Sequence, residues 1–218
     1  MAKGLHQEWP LRLGLVALAV SGVLTALTII VRGPFVDPGF NPELFARGAA
    51  APQFLAYSFG TMLAVLTGVY GYIALYAYLT YTNRSVASLA LWGMVLNIGL
   101  VLLMPSLGVY AFAGPAITDL YARDPRSAVE LTSQMAGGAY LAPVLVQGLL
   151  YSIGSLLFGI AIWRSATLPR WSGVLFFVQA PLIEFILLVS YPAEIVGGLM
   201  LAISSVWIGY RSIYNLGK

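Results

Sequence analysis

The sequence is short of charged residues. Lys and Arg number 11 and Asp and Glu number 8 among its 218 residues, which makes 9% charged, whereas a soluble domain carries about 25%. Hydrophobic residues make up 60% of the chain, and the mean hydropathy is +0.86. A water-soluble fold of this size needs a polar shell, which this composition does not supply. The composition therefore excludes a soluble enzyme, a disordered chain and a free nucleic-acid-binding domain, and it predicts an integral membrane protein.

Two residue types that build many active sites are absent or nearly so. The chain has no cysteine, which excludes disulfides, thiolate metal sites and a cysteine nucleophile. The single histidine, His6, precedes the first apolar segment, so nothing supports a haem or a histidine-built metal centre inside the membrane. The sequence also has no glycine-rich phosphate loop and no nucleophile elbow. We therefore expect no metal site and no cofactor.

Six long apolar segments occupy most of the chain. They cover residues 11–31, 54–81, 86–113, 139–163, 172–190 and 195–210. Backbone polar groups inside a bilayer need internal partners, so such segments form helices or closed barrels. These segments are too continuously apolar for barrel strands, which alternate in polarity. The sequence predicts an all-α fold, a single membrane domain over residues 1–218 that forms a bundle of six transmembrane helices.

The basic residues favour one side of these six segments. If the amino terminus is inside, the inner flanks carry seven basic residues and one acid, and the outer flanks carry four basic residues and six acids. The positive-inside rule then places both termini in the cytoplasm. Arg32 and Glu194 are among the outer charges. We expect both at the membrane surface, with Glu194 at the positive end of the dipole of the last helix.

The two long outer loops each contain a helix-start signal. Asn41 and Asp124 are good N-cap residues, and each is followed by a proline, which favours the first helical position. We predict a short helix over residues 42–47 and an amphipathic helix after Asp124 that ends at Gly137-Gly138. Both helices would lie on the outer face. The second is interpreted as an interfacial strap or, alternatively, as a lid over a cavity.

Small residues recur at spacings of three and four on the predicted helices. Examples are Gly148, Ser152, Ser155 and Gly159 on the fourth span, with a similar series on the second and sixth. Lipid offers no hydrophobic drive between helices, so small residues serve by letting backbones approach closely. These series predict helix packing.

Glu184 is the one charged residue that falls inside a predicted span. A charged carboxylate at such a depth costs at least about 2.5 kcal/mol on insertion scales, so it must face the bundle interior, be protonated or be hydrogen-bonded. Pro181, three residues earlier, leaves the carbonyl of Phe177 without its helical donor and is expected to kink the helix. An ionisable residue at depth is a functional candidate by default.

Several polar side chains are expected near Glu184. By rise per residue, Gln147 lies at a similar depth, Asn97 reaches a comparable layer if the third span kinks at Pro105, and Tyr151 shares a face with Gln147. The hypothesis is a polar cluster around a buried cavity in the outer half, with Gln179 lying deeper. The alternative is structural, because amides tie helices together by hydrogen bonds. We favour the structural role for the amides and a functional role for Glu184.

The order of elements and the stretch Leu168-Pro169-Arg170-Trp171 resemble a widespread family of uncharacterised six-helix bacterial membrane proteins, known by a domain-of-unknown-function label. The stretch itself is typical of a cytoplasmic anchor, with Arg at the head groups and Trp at the interface. The resemblance implies the six-helix fold and a place in the bacterial cell (plasma or inner) membrane. The family has no established activity, so the resemblance adds no catalytic residues.

Three classes of function remain. The first is a protein that binds or transports a small amphipathic molecule or lipid, with Glu184 as polar or proton site. The second is a structural or accessory subunit, in a homo-oligomer or a larger membrane complex. The third is an intramembrane enzyme that uses Glu184 as acid or base, and it ranks last because the sequence shows no second buried acid. A pocket beside Glu184 would favour the first class, and tight packing there would favour the second.

Overall fold

A computed structural model describes residues 2–34, 41–136, 138–184 and 190–217, with side chains for 9–34, 41–136, 142–184 and 190–217. Within these ranges the chain forms helices joined by turns, without β-strands, in agreement with the predicted all-α class. The helices are α1 (Ala2–Arg32), α2 (Pro42–Gly48), α3 (Pro52–Thr82), α4 (Ala87–Ile98), α5 (Met104–Arg123), α6 (Pro125–Met135), α7 (Gly138–Ser165), α8 (Arg170–Glu184) and α9 (Tyr191–Leu216).

Five helical segments of the described chain are long and apolar enough to cross a membrane. They are Trp9–Arg32, Pro52–Thr82, Arg84–Arg123, Ala142–Ser165 and Tyr191–Leu216. Each corresponds to one of the six predicted spans. The remaining predicted span, residues 172–190, corresponds to the 15-residue helix α8 and to residues 185–189, which lie outside the described residues.

The third predicted span differs most from expectation. We expected one helix over residues 86–113 with a kink at Pro105, but the chain forms α4, a 3₁₀ turn at Gly99–Leu103 and then α5. The change of helix type just before Pro105 has a physical reason, since proline has no N–H to donate and its ring clashes with the carbonyl four residues earlier. The predicted end at residue 113 was wrong, because α5 continues through Pro115 to Arg123.

The two short helices of the predicted outer loops are confirmed. Oδ1 of Asn41 accepts from the backbone N–H of Leu44 at 3.2 Å, and Oδ1 of Asp124 accepts from that of Ser127 at 3.2 Å. Both helices pack against α5 through an apolar cluster separate from the main core. It consists of Phe45, Ala46, Ala49, Leu107, Tyr110, Ile117 and Ala128. The expected stop at Gly137 lies outside the described residues, although α6 ends just before it at Met135.

The long helices pack as antiparallel neighbours. Helix α1 contacts both α3 and α9, α7 contacts both α4 and α8, and α8 also contacts α9. Small residues bring these helices together, as predicted. At the contact of α7 with α8, a Cβ placed on Gly159 would lie 2.7 Å from the carbonyl oxygen of Gly173, and the converse distance is also 2.7 Å. Such an approach is open only to glycine, because any side chain would force the two backbones apart.

The main core surrounds an aromatic group contributed by three helices. The ring of Phe158 on α7 lies 6.1 Å from that of Tyr72 on α3 and 6.0 Å from that of Phe176 on α8, measured between centroids. The two phenylalanine side chains are fully buried. The pair of Phe158 with Phe176 is edge-to-face, an arrangement that stabilises a core beyond the burial of its area. Tyr72 faces the core on one side and a polar cavity on the other.

A candidate polar cavity between the helices

A cavity of about 120 Å³ lies inside the half of the bundle in which α1 ends and α3, α7 and α9 begin. Helices α1, α3, α5, α7, α8 and α9 and the 3₁₀ turn before α5 all contribute to its wall. For comparison, an engineered apolar cavity of about 150 Å³ binds benzene. The cavity therefore has room for a small organic group or for several water molecules.

Glu184 lines this cavity from the last described turn of α8, where it is half-buried. The side-chain Nε2 of Gln147 on α7 donates a hydrogen bond to Oε1 of Glu184 at 3.3 Å. Gln147 is fully buried, and its Oε1 has no hydrogen-bond partner among the described residues. Gly148 leaves space for the carboxylate, because a Cβ there would lie 3.2 Å from Oε2 of Glu184. The predicted meeting of Glu184 with Gln147 is thus present in the structure.

Tyr151 also lines the cavity, one helical turn after Gln147 on α7. Nε2 of Gln179 on α8 donates to the Tyr151 hydroxyl at 2.8 Å and to the carbonyl oxygen of Phe176 at 3.1 Å. Gln179 is fully buried and is not part of the cavity wall. Gln179 was predicted as a site residue, but in the structure its amide contacts the Tyr151 hydroxyl and does not line the cavity.

The structure does not bring Asn97 into the cavity wall. Its Nδ2 donates to the carbonyl oxygen of Gly93 at 2.7 Å, and its Oδ1 accepts from the hydroxyl of Ser155 at 3.1 Å. The side chain is fully buried at the contact of α4 with α7, where Gly154 permits a close approach. Asn97 thus joins two helices, which agrees with the structural role and removes it from the predicted cluster.

An ion pair that includes the wall residue Glu194 was not predicted from the sequence. Arg32 and Glu194 were expected at the surface, but they form a buried ion pair between the end of α1 and the start of α9, with side-chain exposures of only 2% and 3%. Nε of Arg32 also donates to the carbonyl oxygen of Gly33 at 3.1 Å. Its guanidinium carbon lies 4.8 Å from the centroid of the Tyr57 ring. Burial is tolerated because each charge offsets the desolvation of the other.

Glu194 lines the same cavity as Glu184. The expectation that the chain has no second buried acid was therefore wrong. A signal existed in the sequence, since Arg32 ends the first span and Glu194 begins the last, and an antiparallel arrangement of these two helices brings the two positions together. Predicting this ion pair from the sequence would have required knowing which helices are neighbours in space.

Comparisons with known proteins give no relative whose site could be set beside this one. No family model, curated protein or solved structure matches the chain.

The charges around the cavity are unbalanced. Two carboxylates line it, and the guanidinium of Arg32 faces one of them, Glu194. Glu184 makes no ion pair with any residue that the structure describes, and its only described hydrogen-bond donor is an amide. Nor do the described residues include a group of three His, Cys, Asp or Glu side chains placed to hold a metal ion. A molecule that enters the cavity can therefore contact the carboxylate of Glu184.

Proposed function

We propose that this chain is a six-span protein of the bacterial cell (plasma or inner) membrane, with both termini in the cytoplasm, that binds or transports a small amphipathic molecule or a lipid. The ligand would occupy the cavity beside Glu184, which serves as its polar or proton site. The observation that carries the proposal is the cavity itself, because an ionisable side chain lines it among helices that are long and apolar enough to cross a membrane.

Six spans are supported by the apolar character of residues 172–190 and by the packing of α8 in the bundle. This helix contacts α7 on one side and α9 on the other, as a membrane-spanning neighbour would. An even number of spans places both termini on one side, and the excess of basic residues at those flanks favours the cytoplasm. The resemblance carried by Leu168 to Trp171 points to the same arrangement.

A bound ligand would offset the energetic cost of the cavity. Protein interiors are packed like organic crystals, and unfilled space is costly. At about 24 cal/mol per Å³, a void of this volume lowers stability by roughly 3 kcal/mol. The wall positions Ser21, Ala64 and Ser106 carry small side chains although larger apolar residues would fill the space. An occupant that binds there recovers the missing contacts, which supports a binding function over a purely structural one.

The test is to fill the cavity and ask whether a ligand is lost. Ser106 is buried in the wall, so Ser106→Leu places additional apolar volume in the cavity. The matched control is Ser133→Leu, at an exposed position of α6. The full chain is extracted from its host membrane in a mild detergent, and bound molecules are detected by native mass spectrometry.

We expect a bound small molecule or lipid in the wild type and in Ser133→Leu, and its loss in Ser106→Leu. A wild type that carries no ligand, and that is not stabilised against thermal unfolding by any added amphipathic compound, would contradict the proposal. Retention of the same ligand by a folded Ser106→Leu protein would place the binding site elsewhere.

A further inference from the structure

We infer that the group bound in the cavity is a protonated primary amine, held by the carboxylate of Glu184 and by Oε1 of Gln147. The inference rests on the proposed binding function and names the chemical class of its ligand. It follows from the acceptors that Glu184 and Gln147 present at the cavity and from the α1 hydroxyls, whose protons are engaged by backbone carbonyls.

The first acceptors are at the carboxyl end of α8. Among the described residues, Glu184 receives one hydrogen bond, from Nε2 of Gln147, although a carboxylate can accept several. Oε1 of Gln147 is completely buried and has no partner among the residues that the structure describes. An unsatisfied buried acceptor destabilises the protein, so a donor brought by a ligand stabilises the complex.

The hydroxyl groups of the α1 wall act as further acceptors, because their protons are already engaged. Ser21 donates to the carbonyl oxygen of Ala64 at 2.7 Å, Thr25 to that of Ser21 at 2.9 Å and Thr28 to that of Thr25 at 3.0 Å. A hydroxyl has one proton and two lone pairs. Once the proton is donated to the backbone, only the lone pairs remain for a ligand. Three side chains that are formally both donors and acceptors are thus biased toward accepting.

The charge of the wall points in the same direction. Arg32, at the end of α1, pairs with Glu194. Glu184 forms no ion pair with a described residue, so the site favours a ligand that supplies a cation. A neutral amine that meets a protonated Glu184 takes its proton, and the product is again an ammonium ion beside a carboxylate. The ammonium–carboxylate pair therefore forms whether the amine or Glu184 carries the proton before binding.

The rest of the wall suits an organic cation. Leu100, Leu103 and Leu107 supply apolar surface, and the rings of Tyr72 and Tyr110 line the cavity as well. Aromatic faces attract ammonium groups. A primary ammonium carries three N–H donors, which match the carboxylate, the amide oxygen and a hydroxyl oxygen, whereas a quaternary ammonium carries none.

The test compares three ligands that share one alkyl chain. Hexylamine, 1-hexanol and hexyltrimethylammonium are titrated into the purified full chain in a maltoside detergent at neutral pH, and binding is measured by calorimetry. We expect hexylamine to bind at least about tenfold more tightly than 1-hexanol, since hydrogen bonds to charged groups are the stronger ones. We also expect hexyltrimethylammonium to bind more weakly than hexylamine, because it has no N–H group.

Variants of Glu184 and Gln147 test whether the preference for hexylamine arises at these two side chains. Glu184→Gln is expected to lose the preference for hexylamine over 1-hexanol, and Glu130→Gln, on the exposed face of α6, is expected to keep it. If Glu184→Gln does not fold, Gln147→Leu removes the second acceptor and is expected to weaken hexylamine binding several-fold. A Gln147→Leu protein that binds hexylamine as tightly as the wild type would contradict the role of its Oε1.

The outcomes separate this inference from the proposed function. If 1-hexanol binds as tightly as hexylamine in the wild type and Ser106→Leu abolishes both, the cavity binds ligands but not through an ammonium group, and the inference fails alone. Equal binding of the two cationic ligands overturns the hydrogen-bonding part of the inference. If none of the three ligands binds and native mass spectrometry finds no occupant, the proposed function fails with it.

Discussion

Glu184 and Glu194 lie on consecutive helices and line the same cavity, but their partners differ. The carboxylate of Glu194 is paired with the guanidinium of Arg32 and is almost completely buried. That of Glu184 has an amide donor and open space beside it, and it is half-buried. The two acids therefore differ both in exposure and in the group that faces them on the neighbouring helix, a guanidinium for Glu194 and an amide for Glu184.

The two acids are expected to contribute to stability in different ways. A buried ion pair is sensitive to the loss of one member, because the other is left as an uncompensated charge in a medium of low polarity. A carboxylate that faces a cavity can be replaced by its amide without stranding a charge. Four substitutions test this comparison.

The largest expected effect is that of Arg32→Met. This change removes the guanidinium and leaves Glu194 buried without its cation, which should lower the free energy of unfolding by about 3–5 kcal/mol. Thermal unfolding of the full chain in detergent measures it. Arg47→Met, at an exposed position of α2, is the control and should have little effect. The double variant Arg32→Met/Glu194→Leu should recover most of the loss, and a double variant no more stable than Arg32→Met would contradict this account of the pair.

Glu184→Gln is expected to change stability far less. The amide has nearly the same shape as the carboxylate, and Gln147 can still supply a hydrogen bond to it. We expect the free energy of unfolding to stay within about 1 kcal/mol of the wild type, as is usual for a single neutral hydrogen bond. The measurement is the same unfolding experiment, without added ligand. A loss as large as that of Arg32→Met would mean that Glu184, too, primarily stabilises the fold.

Gly148→Ala should alter the position of the Glu184 carboxylate without changing its chemistry. The added methyl group would lie 3.2 Å from Oε2 and 3.5 Å from Cβ of Glu184, so the side chain must move by a few tenths of an ångström. We expect hexylamine affinity to fall by about two- to fivefold, because hydrogen bonds weaken as their geometry departs from the optimum. Calorimetry measures the change.

Gly108→Ala is the matched control for this substitution. A Cβ at Gly108 on α5 meets nothing within 4 Å, so any general effect of replacing a helical glycine appears there as well. Alanine at such a position is neutral or slightly stabilising. Equal hexylamine affinity in the two variants would show that the contact at Gly148 does not control the carboxylate.

The sequence predicted the helices well because apolar length and capping residues are local signals. The bounds of α3 lie within two residues of the predicted span 54–81, and the starts of α2 and α6 follow from Asn41 and Asp124 without knowledge of the fold. The end of α5 was missed because the apolar run that defines the third span stops near residue 113, whereas the helix continues to Arg123. Helix type and length at such positions depend on packing against neighbours, which local signals do not contain.

The site was predicted in part for the same reason. Depth along a helix can be counted from the sequence, and this count placed Gln147 beside Glu184. It could not tell which face of α4 meets α7, so Asn97 was assigned to the cavity instead of to Ser155. The pairing of Arg32 with Glu194 depends on which helices are neighbours in space. Contacts between helices that are distant in sequence are the information that was lacking.

A third acid, Asp124, extends the comparison to the surface and should show the smallest effect. It caps α6 in an exposed position, and hydrogen bonds from the hydroxyl and the backbone N–H of Ser127 hold the pKa of its carboxyl below the usual range. A lowered pKa means that the carboxylate stabilises the folded helix fully at neutral pH. This contribution is lost only as the pH falls through the lowered value.

Asp124→Ala should therefore loosen the first turn of α6 and leave the rest of the bundle unchanged. We expect faster hydrogen exchange at the amides of residues 126–128, with no measurable shift in thermal unfolding, because an N-cap stabilises only its own helix end. Asp119→Ala removes an exposed acid of α5 that caps no helix and should leave this exchange unaltered. In the wild type, the Ser127 amide resonance should titrate below the ordinary aspartate range. Asp124→Ala could instead destabilise the whole protein, as Arg32→Met is expected to do. The exposed cap would then be coupled to the buried core, and the partners of the three acids would not predict how much each contributes to stability.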